Sequence, residues 1–67
     1  MLDDPLYVSV KKALKPGDLP RTAHEISVAF DRSEVWARRV LEWMSNVESP
    51  PSMAEVSGSH PKQWVRK

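Results

Sequence analysis

The 67-residue chain carries ten basic and nine acidic side chains, a formal net charge of +1, and no cysteine. It has room for one domain with a small core and excludes a disulfide framework or thiolate metal site. The only histidines, His24 and His60, lie far apart without an organised carboxylate partner, so no metal is expected. Two glycines exclude a glycine-rich phosphate loop, and no cofactor is called for.

Asp3-Asp4-Pro5 reads as a helix start, with an aspartate cap and proline in the first turn. Leu6, Val10, Ala13 and Leu14 then recur at helical spacing with Tyr7 beside them. Lys11, Lys12 and Lys15 suit the negative end of the helix dipole, and Pro16-Gly17 stops the helix, which is expected over about 5–15. Leu19-Pro20-Arg21 reads as a short extended link.

Thr22-Ala23-His24-Glu25 has the spacing of a capping box and opens a two-turn helix over about 23–30. Ala23, Ile26 and Phe30 form its apolar face, with Ala29 alongside. Asp31-Arg32-Ser33 interrupts the pattern, and Ser33 suits a second N-cap. The helix that follows, about 34–46, holds no glycine or proline. Its apolar rows are Trp36-Val40-Trp43-Val47 and Ala37-Leu41-Met44, with Arg38, Arg39 and Glu42 largely outside them. Ser49-Pro50-Pro51-Ser52 ends helical character. Met53–Val56 and Lys62–Arg66 are short extended runs around a Ser57-Gly58-Ser59-His60-Pro61 turn cluster, the pattern of a β-hairpin over about 53–56 and 62–66.

A short helix, a tight break and a longer arginine-bearing helix are the parts of a helix-turn-helix, and the flanking helix and hairpin complete the winged form. Residues 22–44, TAHEISVAFDRSEVWARRVLEWM, resemble the winged helix-turn-helix superfamily of small bacterial and phage regulators. The matching pieces are Thr22-Ala23-x-Glu25-Ile26, Ser33 three residues after Phe30, and the core spacing of Ala37, Leu41 and Met44. Met53 to Arg66 looks like the wing. The usual glycine between the second and third helices is missing, so Asp31 or Arg32 must serve, and aspartate tolerates unusual backbone angles better than most residues. The resemblance covers nearly the whole chain. It implies one α+β, mostly α domain over 1–67: three helices with a C-terminal β-hairpin wing.

The implied partner is double-stranded DNA, and the implied role is transcription regulation in a phage- or plasmid-borne setting. A single helix fits the major groove with its N-terminal side chains at base edges. Those positions are Ser33, Glu34, Arg38 and Arg39, with Arg32 placed to hold the backbone. In the wing, Ser59, His60 and Lys62 approach phosphates or the minor groove, with Gln63 beside them and Arg66 and Lys67 adding local field. Glu34 could accept from cytosine, but favouring the helix N-terminus is the weightier role. His24 reads as a surface residue.

Charge is mildly uneven: residues 1–31 carry a net −1, residues 32–67 a net +2, and Lys62, Arg66 and Lys67 face no acid after His60. Such charges also serve simply to solubilise an edge strand. Trp43 and Trp64 can be housed as core, the latter pinning the hairpin to the third helix. Core placement is favoured for Trp36 too, the alternative being a partner contact or a homodimer surface.

Catalysis is excluded for lack of a cysteine nucleophile, a phosphate loop or paired acids near a histidine, and no small-molecule substrate is evident. No apolar run approaches the roughly 20 residues that span a bilayer, and the acidic opening has the wrong charge for a secretory signal; no membrane partner is expected, and the expected compartment is the cytoplasm. The rival readings are a winged-helix protein-interaction module and an architectural or recombination accessory factor. A single module reads modest area, so a dimer or cooperative neighbour is expected on DNA.

Overall fold

The computed structural model describes residues 5–67; the expected Asp3-Asp4 cap lies outside them. The described residues form three helices and a three-stranded antiparallel sheet, an α+β arrangement that is mostly helical. Helix α1 spans Leu6–Ala13, strand β1 Arg21–Thr22, helix α2 Ala23–Ala29, and helix α3 Glu34–Glu42. Helix α3 runs on into a π-helical turn, Trp43–Val47, followed by strands β2 (Met53–Glu55) and β3 (Gln63–Arg66).

Helix α1 ends two residues before the expected Lys15. Leu14 is already extended (φ −99°, ψ 117°) and its N–H closes the last turn onto Val10 O. The chain then reverses through Lys15–Asp18, where the Asp18 N–H donates to Lys15 O and the Asp18 carboxylate accepts from the Lys15 N–H, both at 3.1 Å. Gly17 supplies the positive φ, +95°, at the third position of that turn.

The expected link at residues 19–21 instead feeds a strand. β1 pairs with β3, Arg21 opposite Trp64 and Thr22 opposite Gln63, and β3 pairs with β2 on its other side. The strand order is therefore β1-β3-β2. Thr22 has two duties, ending β1 and capping α2. Its hydroxyl accepts from the Glu25 N–H at 3.1 Å while Glu25 Oε1 accepts from the Thr22 N–H at 2.8 Å, so the capping box is complete.

Between α2 and α3 the chain turns at Asp31, which takes the left-handed conformation (φ 54°) that glycine usually supplies. The Arg32 N–H reaches back to Ser27 O (2.9 Å) and the Asp31 N–H to Val28 O (3.3 Å). This is the double closure of a Schellman motif, which satisfies the end carbonyls of α2. Ser33 then caps α3, accepting from the Trp36 N–H at 3.1 Å.

The core takes Val10 from α1 and Leu14 just after it, Ala23 and Ile26 from α2, and Ala37, Val40 and Leu41 from α3. Met44, Met53 and Trp64 complete it. Three expected inward residues point out: Ala13, Ala29 and Val47 are exposed. In α2 the inward place beside Ile26 goes to Ser27, whose hydroxyl is satisfied by His24 O at 2.7 Å. Val47 is displaced by the π-helical turn. The Ser45 hydroxyl sits 2.9 Å from Leu41 O and 3.2 Å from Glu42 O, and the Glu48 N–H reaches back five residues to Trp43 O. That wider turn breaks the four-residue repeat from Trp43 to Val47. Tyr7, Phe30, Trp36 and Trp43 pack around the core while half-buried, so Trp36 and Trp43 are only partly housed.

Candidate nucleic-acid interface

Two grooves flank the outward face of α3. The first, about 360 Å³, lies between α3, the start of α2 and the hairpin; Glu34, Arg38 and Glu42 supply one wall, His24 and Lys62 the other. The second, about 470 Å³ and shallower, is lined by Val35, Arg39, Trp43 and Val47. Arg38 and Glu42 border both grooves and form the crest between them. The spacing explains this arrangement: residues 34, 38 and 42 are four apart and share one helical row, and residues 35, 39 and 43 share the next.

Arg38 and Arg39 are both exposed, and neither has a hydrogen-bond or ion-pair partner among the described residues. The other predicted positions are more committed. Arg32 places its guanidinium 5.1 Å from the centre of the Trp36 ring, and Phe30 meets the same indole at 6.1 Å. Trp36 is therefore neither sealed in the core nor bare. Ser33 is occupied as the N-cap of α3.

Glu34 meets His24: Nδ1 of the imidazole lies 2.6 Å from Oε1 of the carboxylate. Sequence reasoning missed this pair because its members are ten residues apart on different helices. The signal available was that each stands just inside the N-terminus of a helix on either side of a tight turn.

In the hairpin, Ser59 is used internally. Its hydroxyl donates to Val56 O at 3.0 Å and accepts from the Gln63 N–H at 3.1 Å, which shapes the connection between β2 and β3. His60 is exposed beyond it, and Lys62 stands 3.9 Å from Glu55 Oε1. Gln63 is half-buried in β3. Arg66 turns back onto the sheet, donating from Nη1 to Ser52 O (3.1 Å) and Lys67 O (3.0 Å). The fold thus brings Glu34, Arg38 and Lys62 around one groove, sets Arg39 on the other side of the crest, and turns Ser59 to a structural task.

Among the described residues no group of three histidine, cysteine, aspartate or glutamate side chains is arranged to hold a metal, and no helix is long and apolar enough to cross a membrane. No family model, curated protein or solved structure matches this chain.

Proposed function

We propose that the chain is a winged helix-turn-helix DNA-binding module, a small transcriptional regulator that lays α3 in the major groove and braces the duplex with the β2–β3 hairpin. One observation carries this reading. Arg38 and Arg39 stand exposed on the outward face of α3, without hydrogen-bond or ion-pair partners among the described residues, while the hairpin holds Lys62 across a groove from Arg38. A guanidinium with no ion pair presents a planar fork of donors suited to guanine or phosphate. The order β1-β3-β2, with β1 immediately before α2, ties the hairpin to the helix pair and supports its use as a fixed second contact.

The protein-interaction reading draws less support, because Phe30 and Arg32 already pack against the Trp36 indole on which it depends.

Fluorescence anisotropy with a labelled duplex, repeated over a salt series, tests the proposal. Log affinity is expected to fall with log salt by about 0.9 per phosphate engaged. The variant with both Arg38→Ala and Arg39→Ala is expected to lose specific binding while keeping its thermal midpoint, since neither side chain is buried. A slope of zero, or wild-type affinity in the double variant, refutes the assignment of α3 as the reading helix.

A further inference from the structure

The shallower groove, on the Val35 side of α3, gathers apolar side chains in solvent. Val35 is 72% exposed and Val47 65%, and the half-buried Trp43 lines the same groove. The π-helical turn puts Val47 there, because it breaks the four-residue repeat that would carry this residue inward. Large apolar side chains left together in solvent mark a contact surface.

The charges in this groove complement one another across two copies of the chain. Arg39 and Glu42 line it, and neither side chain has a hydrogen-bond or ion-pair partner among the described residues. They stand three residues apart on one helix, close enough to meet, yet no ion pair joins them. Their order along α3 decides what they fit. Positions 35 and 47, and positions 39 and 43, are evenly placed about position 41. Two such helices laid antiparallel about a two-fold axis at that point set Val35 against Val47. The same pairing sets Arg39 beside Glu42 and Trp43 of the other copy. Each guanidinium then gains a carboxylate and an indole, twice over by symmetry. A parallel pairing would instead set Arg39 against Arg39 and Glu42 against Glu42.

We infer that this face of α3 docks onto the same face of a second copy of the chain, in an antiparallel, two-fold symmetric dimer held by Arg39, Glu42, Trp43 and the two valines. The strip from residue 35 to residue 47 is about 18 Å long and about 10 Å wide. That is well short of the roughly 800 Å² per partner of a stable interface, so the dimer is weak and forms as concentration rises. The inference goes beyond the DNA-binding reading and does not rest on it. Where both hold, Arg39 serves one partner at a time, and the protomer that binds a duplex is one released from its copy.

Sedimentation velocity over a protein concentration series reaching about 1 mM, where even a weak pair forms, tests the inference, with folding of each variant checked by circular dichroism. The wild-type sedimentation coefficient is expected to climb from that of a monomer toward that of a dimer, and Val47→Asp to stay monomeric. Arg39→Glu sets acid against acid and Glu42→Arg sets base against base, so each alone is expected to weaken association at least about tenfold. Mixed in equal amounts, these two variants present complementary faces and are expected to recover the dimer, as is the chain that carries both substitutions. A wild-type protein monomeric throughout the series, self-association untouched by Val47→Asp or by either charge reversal, or a mixture no better than its components overturns the inference and leaves the DNA-binding reading standing. A dimer of this kind with no affinity for duplex DNA supports the inference and refutes that reading.

Discussion

Lys11 Nζ lies 2.8 Å from Glu48 Oε2, joining α1 to the residue that follows the π-helical turn. The Tyr7 and Ser52 hydroxyls donate to the same carboxylate, and Tyr7 meets Trp43 edge to face with ring centres 4.9 Å apart. One carboxylate therefore ties the first helix to the connection between α3 and β2. The Glu48 side chain is only 13% exposed. Burial pushes its carboxyl up, but hydrogen bonds from Lys11, Ser52 and Tyr7 outweigh that and hold it at about 2. Lys11 is raised in turn, chiefly by its hydrogen bond to Glu48.

This carboxylate makes stability depend on acid. Its folded value lies below the ordinary 4.5, so between the two values the unfolded chain binds more protons than the folded one. The stabilisation is complete above pH 4.5 and is lost as pH falls toward 2. Glu48→Gln is expected to cost on the order of 2 kcal/mol at neutral pH. The gap between the thermal midpoints of the variant and the wild type, followed by circular dichroism, is expected to close as the solution is acidified through that window. A gap independent of pH means that the loss comes from packing instead of charge.

What the sequence made legible was mainly local. The capping box at Thr22 and Glu25 and the Ser33 cap follow from spacings of three residues, and the core spacing of Ala37, Leu41 and Met44 from one uninterrupted helix. Asp31 was one of two residues expected to make the turn, and the structure places the positive φ there. What escaped was non-local. A two-residue strand at Arg21–Thr22 has no periodicity of its own and exists only because β3, some forty residues later, offers it hydrogen bonds. The same holds for Lys11 with Glu48 and for His24 with Glu34: each pair is brought together by the fold, and neither member marks the other in sequence. In the candidate interface, helix periodicity exposed Arg38 and Arg39, whereas the hydrogen bonds that commit Ser59 to the hairpin depend on a loop register that the sequence leaves open.

Asp31 carries a backbone strain that glycine would relieve. Its φ of 54° costs most L-residues about 1–2 kcal/mol, aspartate somewhat less, and glycine nothing. Asp31→Gly is expected to be at least as stable as the wild type in urea denaturation, because the motif needs only the backbone N–H groups of residues 31 and 32. Asp31→Val is expected to be less stable by about 2 kcal/mol, since β-branching disfavours this region most. A valine variant as stable as the glycine variant would show that the turn can close another way.

Thr22 separates the value of a cap from that of a strand. Thr22→Ala removes the side-chain acceptor for the Glu25 N–H but leaves the backbone free to pair with Gln63. The expected cost is about 1 kcal/mol. Thr22→Ser retains the hydroxyl and is expected to lose much less. Chemical denaturation distinguishes the two, and equal losses would place the importance of Thr22 in its methyl group instead of its cap.

Trp64 is the largest fully buried side chain, and it stands on the central strand opposite Arg21 of β1 and Glu55 of β2. Trp64→Ala is expected to cost about 3–5 kcal/mol, which matches the whole stability that a core of this size usually supplies, so that variant should be unfolded by circular dichroism at room temperature. Trp64→Phe is expected to fold. The indole Nε1 is buried with no hydrogen-bond partner among the described residues, so phenylalanine removes an unsatisfied donor at the same time as it removes volume. The first change offsets part of the second, and the net loss should be about 1–2 kcal/mol. Because Lys62 lies two residues before Trp64 in the groove wall that faces Arg38, the folded phenylalanine variant also reports on the interface. Its duplex affinity should stay near that of the wild type if the hairpin only needs an aromatic anchor. A phenylalanine variant as unstable as the alanine variant would mean that Nε1 makes a bond essential to the fold.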